Sequence, residues 1–165
     1  MLCDDCETPR DWSSDGNALL YSRSSRNYSI GMVERGTGVR TLLAQSDRFP
    51  ILSPRFGPGD RWIAFHAMET PDVRKVMALA ISGTSSAEER QWIPVTSGRI
   101  LDRGAQWSPA GNLMYFMSER DGRRNIYAQR LDPQTKQPTG QPFRGLRIQQ
   151  PPAARCSTFL EASPN

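Results

Sequence analysis

The sequence predicts an all-β protein made of three four-stranded antiparallel sheets, and three observations carry that prediction. A ten-residue phrase occurs three times without gaps. Residues 12–21 read Trp-Ser-Ser-Asp-Gly-Asn-Ala-Leu-Leu-Tyr, 56–65 read Phe-Gly-Pro-Gly-Asp-Arg-Trp-Ile-Ala-Phe, and 107–116 read Trp-Ser-Pro-Ala-Gly-Asn-Leu-Met-Tyr-Phe. The copies are spaced by 44 residues from Trp12 to Phe56 and by 51 from Phe56 to Trp107. A period of about 40–50 residues with several strands per unit is that of propeller blades, and helical repeats are shorter. The strand after each turn is also apolar on both faces: Leu113, Tyr115 and Met117 point one way, Met114 and Phe116 the other. A sheet with one wet face alternates apolar with polar residues, whereas a sheet stacked between two others has no wet face. Radially stacked blades impose that condition.

Taken in order, the first unit places strands at 8–13, 17–23, 28–35 and 39–44, the last two joined by the glycine turn at 35–38. The second places them at 51–57, 61–67, 75–82 and 91–96, with its extra length in polar stretches at 68–74 and 83–90. The third places them at 103–108, 112–118, 125–131 and 142–148, with 132–141 as a connecting loop. The partial propeller therefore covers 1–150 with blades at about 8–44, 51–96 and 103–148, and the proline-rich tail 151–165 is expected to be poorly ordered.

With 165 residues, 37% hydrophobic and containing 13 Gly and 13 Pro, the chain suits many short strands and tight turns. No apolar run approaches the ~20 residues of a membrane span, and residues 1–6 lack the basic and apolar stretches of a signal peptide. The chain is expected to carry no membrane insertion and no address of its own. Of the 21 basic residues only Lys75 and Lys136 are lysine, and the arginines are scattered. A nucleic-acid binder gathers its charge on one face, so no nucleic-acid partner is expected. Cys3 and Cys6 form a Cys-x-x-Cys and Cys156 stands apart. A zinc site needs four ligands and a thioredoxin-like motif needs a strand-to-helix setting, so neither metal nor redox work is expected of them.

The aromatic-Ser-x-Asp-Gly-x-x-Leu-Leu-Tyr phrase, with Ser-Glu-Arg-Asp-Gly-x-x-Asn-Ile-Tyr after its third copy, resembles the WD40-like repeat of TolB-type β-propellers. The third unit is the fullest match. The second departs, with Gly57 in place of the serine and Gly59-Asp60 inverting Asp-Gly. The resemblance implies a ring of six blades, of which this chain has three. A second copy or upstream blades would close the ring. The Cys-x-x-Cys start and the run at 129–135 also resemble the C-terminal half of larger bacterial sensor, kinase or regulator proteins. Such an origin would leave a periplasmic or a cytoplasmic location open.

No kinase signature and no Gly-x-Ser-x-Gly elbow is present. The one histidine, His66, lies mid-strand, where a partly buried structural residue is the simpler reading than a base. No enzyme activity, cofactor or metal is expected, and the chain reads as a recognition or scaffold segment for a protein partner or small ligand. An accessory propeller of a peptidase or kinase is the alternative. Propellers bind around the axis, which the first strand of each blade lines. The residues just before the three marker aromatics, Asp11, Arg55 and Gln106, are the channel-lining candidates. Trp12, Phe56 and Trp107 are expected at equivalent, buried positions that end those strands.

Overall fold

The computed structural model describes residues 8–24, 27–82 and 86–146. Three antiparallel sheets follow one another along the chain, each built from four consecutive strands in sequence order. Blade 1 holds β1 (Thr8–Trp12), β2 (Ala18–Arg23), β3 (Tyr28–Glu34) and β4 (Arg40–Ser46). Blade 2 holds β5 (Ile51–Phe56), β6 (Trp62–Thr70), β7 (Val73–Ala80) and β8 (Ile93–Pro94). Blade 3 holds β9 (Arg103–Trp107), β10 (Leu113–Ser118), β11 (Asn125–Leu131) and β12 (Pro138–Leu146). Cys3, Cys6, Cys156 and the tail lie outside the described residues.

The two-faced apolar strands do what their pattern requires. Leu20, Ile30 and Leu43 of blade 1 pack with Ile63, Phe65 and Leu79 of blade 2 in one core. Ala64, Val76 and Ala78, on the other face of blade 2, pack with Met114, Phe116 and Tyr127 of blade 3 in a second. Blade 2 is thus covered on both sides, and the three sheets form an open arc.

The strands differ from expectation most in three places. β6 and β7 run on through 68–70 and 73–74 and meet at a two-residue turn, where a polar loop was expected. Beyond the neighbouring blades a hairpin can be polar, and here a Lys75–Glu69 ion pair at 2.7 Å ties it across. β8 is two residues long, because a 3-10 turn at Glu89–Gln91 occupies its start and Pro94 offers no N–H. β12 begins at 138, since the Asp132 carboxylate accepts hydrogen bonds from the Gln134 and Thr135 N–H groups and folds the expected loop into a hairpin turn. Those bonds hold the Asp132 carboxyl below the usual carboxylate range.

Candidate functional site

The repeated phrase builds the site because each copy ends a first strand and turns it. In blade 1 the Ser13 hydroxyl donates to Asp15 at 2.6 Å and accepts the Ala18 N–H at 2.8 Å. In blade 3 the Ser108 hydroxyl donates to the Asn112 side chain at 3.1 Å and accepts the Leu113 N–H at 3.0 Å. The serine thus clamps the turn into the next strand. The Ser13 hydroxyl and the Asn17 backbone N–H hold the Asp15 carboxyl below its ordinary range. The fourth residue after each aromatic needs a left-handed backbone: φ is +70° at Gly16, +53° at Asp60 and +68° at Gly111.

The departures in blade 2 have a physical reason. A Cβ on Gly57 would lie 3.1 Å from both the Trp107 ring and the Trp62 Cβ, so the indole of blade 3 rests where a serine would stand. The inverted Gly59-Asp60 puts a carboxylate at the left-handed position, a conformation Asp tolerates better than most side chains. Asp60 Oδ2 then accepts the Ser14 N–H at 2.8 Å and the Ser14 hydroxyl at 2.5 Å, joining the turns of blades 1 and 2. The turn is kept, and the inversion adds a tie between blades. Its only signal in the sequence was the departure from the repeat.

These three turns meet around a shallow depression of about 280 Å3. Trp12, Phe56 and Trp107, one aromatic from each blade, line it with Asp11, Pro58 and Pro109. The aromatics are equivalent, for Trp12, Phe56 and Trp107 pair with Leu19, Ile63 and Met114 across their hairpins. Their expected burial is corrected: Trp12 is 47% exposed, and Phe56 and Trp107 are half-buried. They sit at the rim where the first strands end, and Phe56 and Trp107 also pack against the two cores, whereas Trp12 does not. A fully buried aromatic loses about 3–5 kcal/mol on truncation. Trp107→Ala, which uncovers Gly57 but opens onto the depression, is expected to lose about 2 kcal/mol in a urea titration.

Of the channel-lining candidates, the structure brings two together. Asp11 Oδ2 accepts the Phe56 N–H at 2.9 Å, and Oδ1 lies 3.6 Å from Arg55 Nη1. Arg55 Nη1 also donates to the Arg10 carbonyl at 3.1 Å. Asp11 and Arg55 therefore link the first strands of blades 1 and 2, with Asp11 at the edge of the depression. Gln106 is exposed on β9, outside that pair and outside the lining of the depression. Glu88 and Glu89, in the second polar stretch, have partners: Glu88 caps the 3-10 turn, and Glu89 accepts from Ser46 at 3.0 Å and Arg48 at 3.1 Å.

His66 is buried in the joint between blades 2 and 3, where its Nε2 accepts the Ala105 N–H at 3.4 Å. Burial, with Arg74 nearby, lowers its pKa to about 4. His66 lines neither the depression at the three turns nor the groove beside Tyr21 and Leu42. Among those residues no group of His, Cys, Asp and Glu is placed to hold a metal, and no helix is long and apolar enough to cross a membrane.

No protein-family model matches the chain. Solved structures do match its fold. TolB from Acinetobacter baumannii superposes with a TM-score of 0.60 at 22% identity, covering 74% of this chain and 29% of that one. A TolB assigned in Agrobacterium tumefaciens superposes with a TM-score of 0.61 at 19% identity, covering 82% and 49%. The arc is that of a partial TolB-like β-propeller. The β-propeller domain of the Trilobed protease from Pyrococcus furiosus matches with a TM-score of 0.56 at 14% identity, covering 86% of this chain and 43% of that domain. The chain spans less than half the length of each of these propellers, and at these identities the likeness is one of fold.

Proposed function

We propose that the chain is a non-catalytic recognition segment that takes a protein segment or small ligand at the depression between Trp12, Phe56 and Trp107, within a ring completed by a second copy or by further blades. The observation that carries this reading is the convergence of one aromatic from each blade on a single depression. Trp12 leaves a large indole in water there. Exposed aromatics in a concave setting are the usual anchors of binding surfaces, since they offer much contact area at small entropic cost. Asp11 at the edge supplies a polar group to orient a ligand.

Selection of short peptides from a random library, followed by calorimetric titration of the enriched sequences, tests the reading. Enriched peptides should bind the wild type and bind Trp12→Ala at least about tenfold more weakly, a loss of about 1.4 kcal/mol. The unfolding midpoint of that variant should stay close to wild type, because a half-exposed residue outside the core contributes little. Equal binding to both proteins would overturn the site.

A second reading has support from the matches to peptidase propellers, among them prolyl oligopeptidase B from Galerina marginata, with a TM-score of 0.59 at 12% identity over 86% of this chain. On that reading the arc is an accessory part of a separate or larger enzyme, and a regulator or kinase context would be a variant of it. A complex with a separately supplied peptidase or kinase that forms equally well with the wild type and with Trp12→Ala would displace the recognition reading.

A further inference from the structure

We infer that the open side of blade 1 is a docking face for blade 3 of a second copy of this chain, two copies closing one ring of six blades through two identical joints. The inference rests on the chain working within a ring, and is independent of what the aromatic depression binds.

The internal joints supply the ground for it. The hairpin pairings put Leu19, Ile63 and Met114 at one position, and Tyr21, Phe65 and Phe116 two residues further on. In blades 2 and 3 both positions are buried against the preceding blade, with Ile63, Phe65 and Met114 at 0% exposure. Among the described residues no blade precedes blade 1, and its Leu19 and Tyr21, at 9% and 6% exposure, form a small cluster of their own with Val33 instead of joining a core shared with another blade. The opposite face behaves in the converse way. Leu20 and Ala64 share the position that packs on the following blade, and both are fully buried. Their counterpart in blade 3 is Tyr115, which stays partly exposed beside Met117 and Ile126. The chain thus makes one kind of joint twice and presents the two unmatched halves of a third.

Those halves fit each other in size. Within the chain a small or medium residue, Leu20 or Ala64, faces a blade carrying Met77 or Tyr127 on its third strand. In the unmatched halves the sizes are exchanged: Tyr115 stands on the blade 3 face, and Gly31 takes the place of Met77 and Tyr127 on blade 1. A Cβ on Gly31 would come within 2.3 Å of the Tyr21 ring, so Tyr21 lies flat across β3. Beside it a groove of about 450 Å3 opens, lined by Tyr21, Ser29, Leu42 and Gln45 among others. A bulky face meets a recessed one, which favours this chain's own blade 3 as the occupant. Every blade is complete in its own four strands, so faces alone can close the ring. Three blades also match 49% of the Agrobacterium TolB chain, which leaves room for about as many again.

Sedimentation at micromolar protein concentration tests this. The expected result is a species of twice the chain mass that does not grow as concentration rises. Tyr115→Asp and Leu42→Asp, on the two opposed faces, should each return it to a monomer, with strand signal in circular dichroism retained. An equimolar mixture of the two variants should regain the dimer, since one of its two joints is then wild type on both sides. A monodisperse wild-type monomer would overturn the proposal and leave these faces to other blades of a longer polypeptide. Growth without limit would overturn ring closure, and a dimer indifferent to either variant would overturn the choice of faces.

Discussion

Replacing Phe65 by alanine is expected to cost the fold about 3–5 kcal/mol, the range for truncating an aromatic in a packed core. Phe65 is fully buried and faces blade 1 from the second strand of blade 2. It meets the Trp92 ring edge-on at a centroid distance of 5.1 Å and an interplanar angle of 90°, an arrangement that adds to its burial. The void would open between two hydrogen-bonded sheets, which can collapse into it only by moving together. The loss should therefore lie near the upper end of the range, a large share of the ~5–15 kcal/mol by which domains are stable. Urea unfolding at fixed protein concentration measures it, as a drop in midpoint at unchanged slope. A loss below about 1 kcal/mol would mean that blades 1 and 2 do not share a core. Trp12→Ala, at the equivalent of a neighbouring repeat position but half in water, is the contrast, with a change within about 0.5 kcal/mol.

The strands were legible because the repeat states them redundantly. The alternation in 113–118 appears in the structure as alternating half-buried and buried residues, with Met114, Phe116 and Ser118 toward blade 2. What misled was the use of polarity as a sign of loop. Glu69 and Lys75 are polar yet pair with each other as an ion pair, and backbone pairing continues there regardless of side chain. The open faces were legible as a class but not in detail. Leu20, Met114 and Phe116 belong to internal joints, whereas Leu19, Tyr21 and Tyr115 belong to the open sides. Alternation assigns a residue to one of two faces, and only the stacking order says which face is covered.

The site was less legible. The aromatics were found because they mark the repeat, but strand-end residues lie where a core meets a rim, and periodicity does not say on which side of that boundary a ring falls. Asp11 and Arg55 were singled out by register alone. Their mutual contact depends on how two blades are rotated against each other, which no local pattern encodes. The tie from Asp60 to Ser14 spans 46 residues and depends on a left-handed backbone at an aspartate.

Stability should fall by roughly 3 kcal/mol between pH 7 and pH 4 through His66 alone, at 1.36 kcal/mol per pH unit of displaced pKa. Burial, aided by the charge of Arg74 and opposed by a hydrogen bond to the Leu52 backbone, lowers the pKa of the folded imidazole from the ordinary 6.5 to about 4. The neutral ring is the form the fold holds, since its Nε2 accepts the Ala105 N–H from blade 3 and cannot do so once protonated. Below pH 6.5 the unfolded chain takes up a proton that the folded chain refuses until about pH 4, so stability drops across that window as pH falls and levels off, for this group, beneath it. The window is nearly free of other titrations, because His66 is the only histidine of the chain. Asp121, held low by Tyr127 and Arg144, and Asp15 and Asp132 lose their contributions only as pH falls through the ordinary carboxylate range and lower. Urea titrations at half-unit steps of pH, at fixed protein concentration, read the slope. His66→Gln, which cannot titrate, should flatten the curve between pH 6.5 and 4.5 and leave the acid limb below it. An unchanged slope in that variant would show that the imidazole is not what couples the joint of blades 2 and 3 to pH.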